Sequence, residues 1–331
     1  MLTYIVRRVF VLIPLLLLIS IIVFIIIQLP PGDYLTTYIN SIRNSGVELN
    51  EEQIAGLTRQ YGLDQPGYIQ YFMWMRGILL EGNFGWSFQW QISVNEVLAD
   101  KLGTTIALSL ASLFFVWIMA IPIAIISATR QYSAFDYFFT FLGFIGLAMP
   151  TFLLALVVTW IVYSATGIMI TGLFSQEFAQ APWSFAKFVN LLQNAWMPII
   201  IVGISGTAGL IRVLRATLLD ELRKQYVVTA RAKGVAERRL LFKYPIRIAM
   251  NPIFSTIGWL LPSLVSGQVI VAIVLNLQTV GPVLLRATLA QDMYLAGSIV
   301  LILAFLTVIG TFLSDLLLAW VDPRIRYERK N

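Results

Sequence analysis

The side chains that could do chemistry in this sequence are carboxylates, hydroxyls and amines, because its 331 residues include no histidine and no cysteine. Thiolate nucleophiles, imidazole bases, disulfides and Cys/His zinc sites are therefore excluded. No G-x-x-x-x-G-K-[ST] motif occurs, so the chain has no P-loop of its own for ATP. A carboxylate-based membrane enzyme could use acids such as Asp33, Asp64 and Asp100, but their spacing does not order them into a site.

Composition indicates which elements must position any functional residue. Hydrophobic residues make up 58% of the chain and charged residues only 12%, whereas soluble domains are roughly 45–50% apolar and about 25% charged. A chain with so few charges lacks the polar surface of a soluble fold. The sequence therefore predicts an integral membrane protein, and its net charge of +6 does not predict nucleic-acid binding.

Six segments have the roughly 20 mostly apolar residues that a helix needs to cross a bilayer. The predicted fold is an all-α integral membrane protein with six transmembrane helices. The predicted spans are residues 9–29, 104–128, 137–163, 196–219, 248–275 and 294–321. Seventeen of the 23 Lys and Arg residues fall on the side that holds both termini, and the positive-inside rule makes that side the cytoplasm.

These spans divide the chain into a first transmembrane segment (1–29), an extracytoplasmic cap (30–103) and a membrane core with five helices (104–331). Two short helices are predicted in the cap, at residues 51–61 and 68–79. The second of these is rich in aromatic residues and methionine, which suits a position on the membrane surface. Two further external connections are predicted, at residues 164–195 and 276–293.

The cytoplasmic segment 220–247 lies between the fourth and fifth predicted helices and is strongly basic. Gly234 follows the small residues Ala230 and Ala232 and separates two helix-compatible runs, so we expect the chain to turn there. Glu237 favours the positive end of the second helix. We expect four apolar residues after the turn to anchor it: Leu240, Leu241, Phe242 and Tyr244. Such a short helix suits a groove on a partner protein, although charge alone equally fits contact with anionic lipid.

The order of residues in this segment resembles a known signature. Tyr226-Val-Val-Thr-Ala-Arg-Ala-Lys-Gly234, followed by Glu237-Arg-Arg239, is similar to the cytoplasmic motif of ABC-transporter permeases, particularly the dipeptide/oligopeptide family. Further matches along the chain are Tyr4-Ile-Val-Arg-Arg8, Pro31-Gly-Asp33, Tyr61-Gly-Leu-Asp-Gln-Pro66, Gln70-Tyr71 and Asp322-Pro-Arg-Ile-Arg326. The chain departs from the general signature at Val228-Thr229-Ala230, where Glu-Ala-Ala is usual.

The resemblance implies one of two permease subunits, with a different second subunit favoured, in the cell (inner) membrane. Two cytoplasmic ATPases would bind ATP and Mg, no cofactor would reside on this chain, and an extracytoplasmic solute-binding protein would deliver oligopeptides or oligosaccharides. The implied ATPase-coupling contact is Thr229, Ala230, Ala232, Lys233, Gly234 and Glu237, with Arg238 and Arg239 at its rim.

The translocation path has weaker signals. Polar side chains in the fifth predicted helix are candidates for its lining: Ser263, Ser266 and Gln268. Glycines in the third and fourth helices favour close helix packing over solute binding. An ion-driven secondary transporter, the main alternative, would need charged residues near the membrane midplane, and Asp315 alone is a candidate. For Asp315 a structural partner is favoured over a proton-relay role.

Overall fold

The computed structural model describes residues 2–28, 56, 64–87, 89–169, 171–179, 181–182, 184–254 and 269–321. Several predicted features lie outside these residues: helix 51–61 apart from residue 56, the motifs at 31–33 and 322–326, and the pore candidates Ser263, Ser266 and Gln268. The chain forms two compact units. One is Met1–Thr105 with Thr279–Leu306, and the other is Ile106–Gln278 with Thr307–Asn331.

The described residues are mostly helical, with one short hairpin. The helices are α1 (Leu2–Gln28), α2 (Gly67–Arg76), α3 (Val94–Thr129), α4 (Ala134–Ala148), α5 (Thr151–Thr166), α6 (Gln176–Ala179), α7 (Phe185–Leu222), α8 (Gln225–Ala232), α9 (Glu237–Lys243), α10 (Pro245–Ala249), α11 (Val269–Val274), α12 (Val280–Leu289) and α13 (Met293–Val321). A π-helical turn, Gly77–Glu81, continues α2. Strands β1 (Trp86–Ser87) and β2 (Ile92–Ser93) pair antiparallel.

Among the described residues, three helices are long and apolar enough to cross a membrane: α3, α7 and α13. They correspond to the second, fourth and sixth predicted spans. Helix α7 begins at Phe185 rather than near 196, because Ser184 caps it by accepting a hydrogen bond from the Lys187 N–H at 3.2 Å. Its first turns interleave apolar residues with Lys187, Asn190 and Asn194, so an uninterrupted apolar run could not mark where it starts. An apolar helix, α12, also occupies part of the predicted connection 276–293.

The third predicted span is not one straight helix. Helices α4 and α5 meet at an angle of 108° across Met149 and Pro150. Pro150 has no N–H for a helical hydrogen bond and disfavours helical backbone at the residue before it. Met149 is accordingly extended, with φ −84° and ψ 124°. Helices α4 and α5 together make a fourth span only if a bent pair of helices is counted as one span.

In the first unit, α2 packs against the end of α1. The hydroxyl groups of Ser20 and Tyr71 share a hydrogen bond of 2.8 Å. Tyr71 also meets the ring of Phe24 edge-on at 5.5 Å, while Trp74 stacks on Phe24 at 5.9 Å. The predicted aromatic helix at 68–79 is confirmed, although its last turn is π-helical. A second core joins the start of α3 to α12 and α13, through residues that include Val94, Leu98, Val283, Leu295 and Ile299.

In the second unit, glycines bring helices close together. A Cβ on Gly146 of α4 would lie 3.2 Å from Ile204 of α7. On the other side of α7, a Cβ on Gly206 would lie 3.1 Å from Val116 of α3, and one on Gly203 would overlap the ring of Phe115. These contacts confirm the packing interpretation of these three glycines.

Candidate functional site

The basic segment begins where helix α7 ends. The Arg223 N–H donates to the carbonyls of Asp220 and Glu221, which closes the last turn of α7. Lys224 is extended and precedes α8. The Tyr226 hydroxyl donates to Glu221 Oε2 at 2.5 Å, and burial together with this bond raises the pKa of Tyr226. The membrane helix and the segment after it are therefore tied across their junction.

Helix α8 ends in a turn that requires glycine. Gly234 has φ +75°, a left-handed conformation that other residues adopt at a cost. Its N–H donates to the Arg231 carbonyl at 3.0 Å, and the Val235 N–H donates to the Ala230 carbonyl at 3.3 Å. These two bonds form a Schellman motif. The predicted turn at Gly234 is thus confirmed.

An exposed ion pair joins the two helices on either side of the turn. Arg231 donates from Nη2 to Glu237 Oε1 at 2.5 Å and from Nε to Glu237 Oε2 at 3.1 Å. The hydrogen bond from Arg231 holds the pKa of Glu237 below its usual value, and the same bond raises the pKa of Arg231. We call this bidentate pair the clasp. The sequence prediction included Glu237 but missed Arg231, whose only signal is an opposite charge on the far side of a glycine turn.

Buried apolar side chains hold the turn on the second unit. Val227 of α8 and Leu240 of α9 are fully buried. In α10, the Ala249 carbonyl accepts a hydrogen bond of 3.3 Å from the Thr217 hydroxyl of α7. Side chains from α3, α7 and α10 form one buried cluster beneath the segment, with residues that include Ala120, Ala124, Leu214, Leu218, Ile246 and Ala249. The cluster therefore joins α10, which follows the turn in sequence, to the long apolar helices α3 and α7.

The predicted contact residues share one property, which is exposure to solvent. Seven of the eight are exposed and Ala230 is half-buried: Thr229, Ala232, Lys233, Gly234, Glu237, Arg238 and Arg239 are the exposed ones. Phe242 was expected to anchor the turn, yet it is 59% exposed. It lies two residues after Leu240, on the opposite face of α9. Phe242 therefore belongs to the exposed surface and not to the anchor.

An ion pair between α4 and α7, before the basic segment, was not predicted from the sequence. Arg215 donates to both carboxylate oxygens of Asp136, with Nε–Oδ1 at 2.8 Å and Nη2–Oδ2 at 2.7 Å. Asp136 is buried and also accepts from the Tyr132 N–H at 3.0 Å. The pair joins the first turn of α4 to α7, one turn and a half before the basic segment begins. The two residues are 79 positions apart, so local sequence carries no signal for the pairing.

The acids named as catalytic candidates contact neighbouring side chains where the structure describes them. Within the described residues there is no cluster of three or more acidic, histidine or cysteine side chains that could hold a metal ion. Asp64 accepts a hydrogen bond from Gln65, and Asp100 pairs with Lys101 at 2.7 Å. These two acids are thus engaged with neighbours in sequence and not with each other. The basic segment presents an exposed turn, and α10, which follows it, contributes to the buried cluster with α3 and α7.

Comparison with known proteins identifies this class of membrane protein. Residues 120–327 match the family described as binding-protein-dependent transport system inner membrane component, and residues 1–109 match its N-terminal family. The oligopeptide transport system permease protein AppB of Bacillus subtilis is 32% identical over 99% of this chain and 100% of its own length. The dipeptide transport system permease protein DppB of Alkalihalophilus pseudofirmus is 29% identical over 99% and 100%. The inner membrane ABC transporter permease protein YejB of Escherichia coli is 30% identical over 98% and 99%.

The fold and these matches define a multi-pass inner membrane permease of an ABC transporter. The chain belongs to the family of binding-protein-dependent transport system inner membrane components. It is a transport subunit and not an enzyme, as the sequence predicted.

Proposed function

We propose that this chain is a permease subunit of an ABC importer for peptides. It pairs with a second, homologous permease subunit, and the two together enclose the translocation path. A solute-binding protein delivers the peptide from outside, and two cytoplasmic ATPases supply the energy. ATP and Mg bind to those ATPases, so this chain needs no cofactor. Support for the peptide comes from relatives named as oligopeptide and dipeptide permeases.

The observation that carries the coupling role is the exposed Gly234 turn on its buried base. Exposed side chains at the turn suit a groove on an ATPase, and α10, which follows the turn, packs on α7 through Ile246 and Ala249. Ligands shift a transporter between two states only through contacts that differ between those states. Closure of the ATPases against this turn supplies such a difference, and the packed base carries it into the membrane helices.

The topology completes the proposal. Six transmembrane helices place both termini and the basic segment 220–247 in the cytoplasm. The cap at 30–103 then faces outward and receives the binding protein. Ser263, Ser266 and Gln268 of the fifth span line the translocation path.

Reconstitution of the complex tests the transported substrate and the energy source together. The permease pair, with and without the ATPases and the binding protein, is placed in proteoliposomes with ATP at the ATPase side. We expect uptake of radiolabelled trialanine only when all components and ATP are present. Cellotriose serves as the matched oligosaccharide in a parallel assay.

Three results would contradict the proposal. Trialanine uptake without any ATPase would instead support the ion-driven alternative, especially if a proton ionophore abolished it. Uptake of cellotriose but not trialanine would overturn the peptide assignment. Full uptake by this chain without its second permease subunit would overturn the heterodimeric path.

A further inference from the structure

The first unit contains a cavity, lined by charged and aromatic side chains, that the coupling role does not use. Its volume is about 720 Å³, within the range of about 300–1,000 Å³ that is common for small-molecule sites. Helix α2, the π-helical turn, the hairpin and the start of α13 all contribute to its wall. The side chains that matter here are Trp74, Arg76, Glu81, Asn83, Trp86 and Tyr294.

A buried carboxylate holds the hairpin side of this cavity in place. Asp292 is fully buried, and its Oδ2 accepts from the Ser87 hydroxyl at 2.6 Å and from the Gln89 N–H at 3.2 Å. Its Oδ1 caps α13 by accepting from the Leu295 N–H at 3.3 Å. Ser87 is adjacent in sequence to Trp86, and Asp292 lies two residues before Tyr294. These bonds therefore hold together the hairpin, which carries Trp86, and the start of α13, which carries Tyr294.

The loop that leads into the hairpin is fixed as well. Gly85 has φ +102°, and a Cβ there would lie 3.0 Å from the ring of Tyr294. The Asn95 side chain accepts from the Phe84 N–H at 2.9 Å and donates to the Gly82 carbonyl at 2.6 Å. Absence of a side chain at Gly85 lets the Tyr294 ring lie against the loop. The cavity wall is thus built before any ligand arrives.

The wall of the cavity includes one positively and one negatively charged residue, Arg76 and Glu81. Arg76 and Glu81 are both exposed, and neither forms a hydrogen bond or ion pair through its side chain with another residue in the part of the chain that the structure describes. Trp74 is only 7% exposed, and its indole N–H has no acceptor among those same residues. A wall with an unpaired cation, an unpaired anion and aromatic rings suits a ligand that carries both charges and an apolar group.

We propose that this cavity binds short zwitterionic peptides on the permease itself. Arg76 binds the terminal carboxylate, Glu81 binds the terminal ammonium group, and the rings of Trp86 and Tyr294 contact the apolar part of the peptide. The proposal rests on the peptide-import function proposed above and adds a site that holds peptide on this chain.

Binding to the full-length permease pair in nanodiscs tests the site without the ATPases or the binding protein. Three probes are compared by equilibrium dialysis: trialanine, trialanine amide and N-acetyl-trialanine. Because exposed charge contacts are weak, we expect loss of either terminal charge to reduce affinity about two- to fivefold. Arg76→Gln should remove the preference for the free carboxylate, and Glu81→Gln should remove the preference for the free ammonium group.

Matched controls are Arg286→Gln and Glu96→Gln, which alter exposed charges of the same unit outside the cavity; both preferences should persist. The proposal is overturned if the parent pair does not bind trialanine, or if the Arg76 and Glu81 variants keep both preferences. It is also overturned if those variants bind trialanine normally and lose affinity only for the binding protein. Uptake of trialanine by the whole complex separates the two proposals, because uptake without these preferences would refute the cavity site alone.

Discussion

At the scale of single residues, Gly234 combines a left-handed backbone with open surroundings. No atom lies within 4 Å of a Cβ placed there, so a substitution acts through backbone conformation or through the docked partner. Gly234→Val should reduce ATP-driven trialanine uptake by about tenfold or more, because β-branched residues are strained at positive φ. Uptake and ATP hydrolysis are measured in the reconstituted complex, and hydrolysis should continue without uptake.

Gly234→Asn is the matched control, because asparagine tolerates this conformation. Near-normal uptake in the Asn variant would attribute the effect of valine to the backbone. If both variants lose uptake, the side chain blocks the partner. Normal uptake in the Val variant would contradict the coupling role of the turn.

The clasp between Arg231 and Glu237 is expected to stabilise the same turn. The hydrogen bond lowers the pKa of Glu237, so the pair contributes stability above the usual glutamate pKa and loses it only as pH falls through the lowered value. Glu237→Gln should therefore increase amide hydrogen exchange at Gly234 and Val235 about two- to fivefold at neutral pH. Arg238→Gln is the control, and equal exchange in the two variants would show that the clasp has no stabilising role.

The ion pair between buried Asp136 and half-buried Arg215 should matter more for stability than the clasp. Removal of Asp136 leaves the Arg215 guanidinium, whose side chain is 25% exposed, without its partner, which costs about 1–3 kcal/mol. Asp136→Asn should therefore lower the temperature of unfolding in detergent substantially. The combined Asp136→Asn and Arg215→Met variant should recover part of the loss. Asp100→Asn is the control, because the Asp100 side chain in its pair with Lys101 is 69% exposed. An equal loss of unfolding temperature in this variant would contradict the stabilising role of the Asp136–Arg215 pair.

At the scale of elements, close packing of α4 on α7 depends on Gly146. A Cβ there would lie 3.2 Å from Ile204, whereas nothing lies within 4 Å of a Cβ on Gly143 of the same helix. Gly146→Val should cost about 1–3 kcal/mol through overpacking, measured as reduced unfolding temperature of the purified permease. Gly143→Val should be nearly neutral, and equal effects of the two substitutions would refute the packing role.

The same elements explain what the sequence could predict. Apolar runs marked the three long helices, and one glycine between helical runs marked the turn at Gly234. The break at Met149 and Pro150 had a signal, yet the apolar pattern continues through it and so predicted one span. Polar residues interspersed in the first turns of α7 interrupt the apolar run there, so the predicted span began too late. The Asp136–Arg215 pair depends on packing between distant segments, which no local pattern encodes.

At the scale of the whole molecule, the absence of cysteine makes its orientation directly testable. Lys233→Cys places one thiol in the basic segment, and Asn83→Cys places one in the predicted cap; both positions are exposed. If both termini are cytoplasmic, a membrane-impermeant maleimide added to intact spheroplasts should label the Asn83→Cys variant. The Lys233→Cys variant should react only after the membrane is permeabilised. The parent chain, which has no thiol, controls for background.

The two variants together connect the site proposals to the membrane. The proposed ATPase contact at the Gly234 turn requires that turn to face the cytoplasm, where ATP is. The proposed peptide cavity must face the outside, from which the binding protein delivers peptide. Positive-inside bias predicts that the turn is cytoplasmic. Three predicted spans lie between the cap and the turn, and because three is an odd number, we expect the cap to be outside. Labelling of both thiols from the same side would break that order and would leave either the ATPase contact or the peptide site on the wrong side of the membrane.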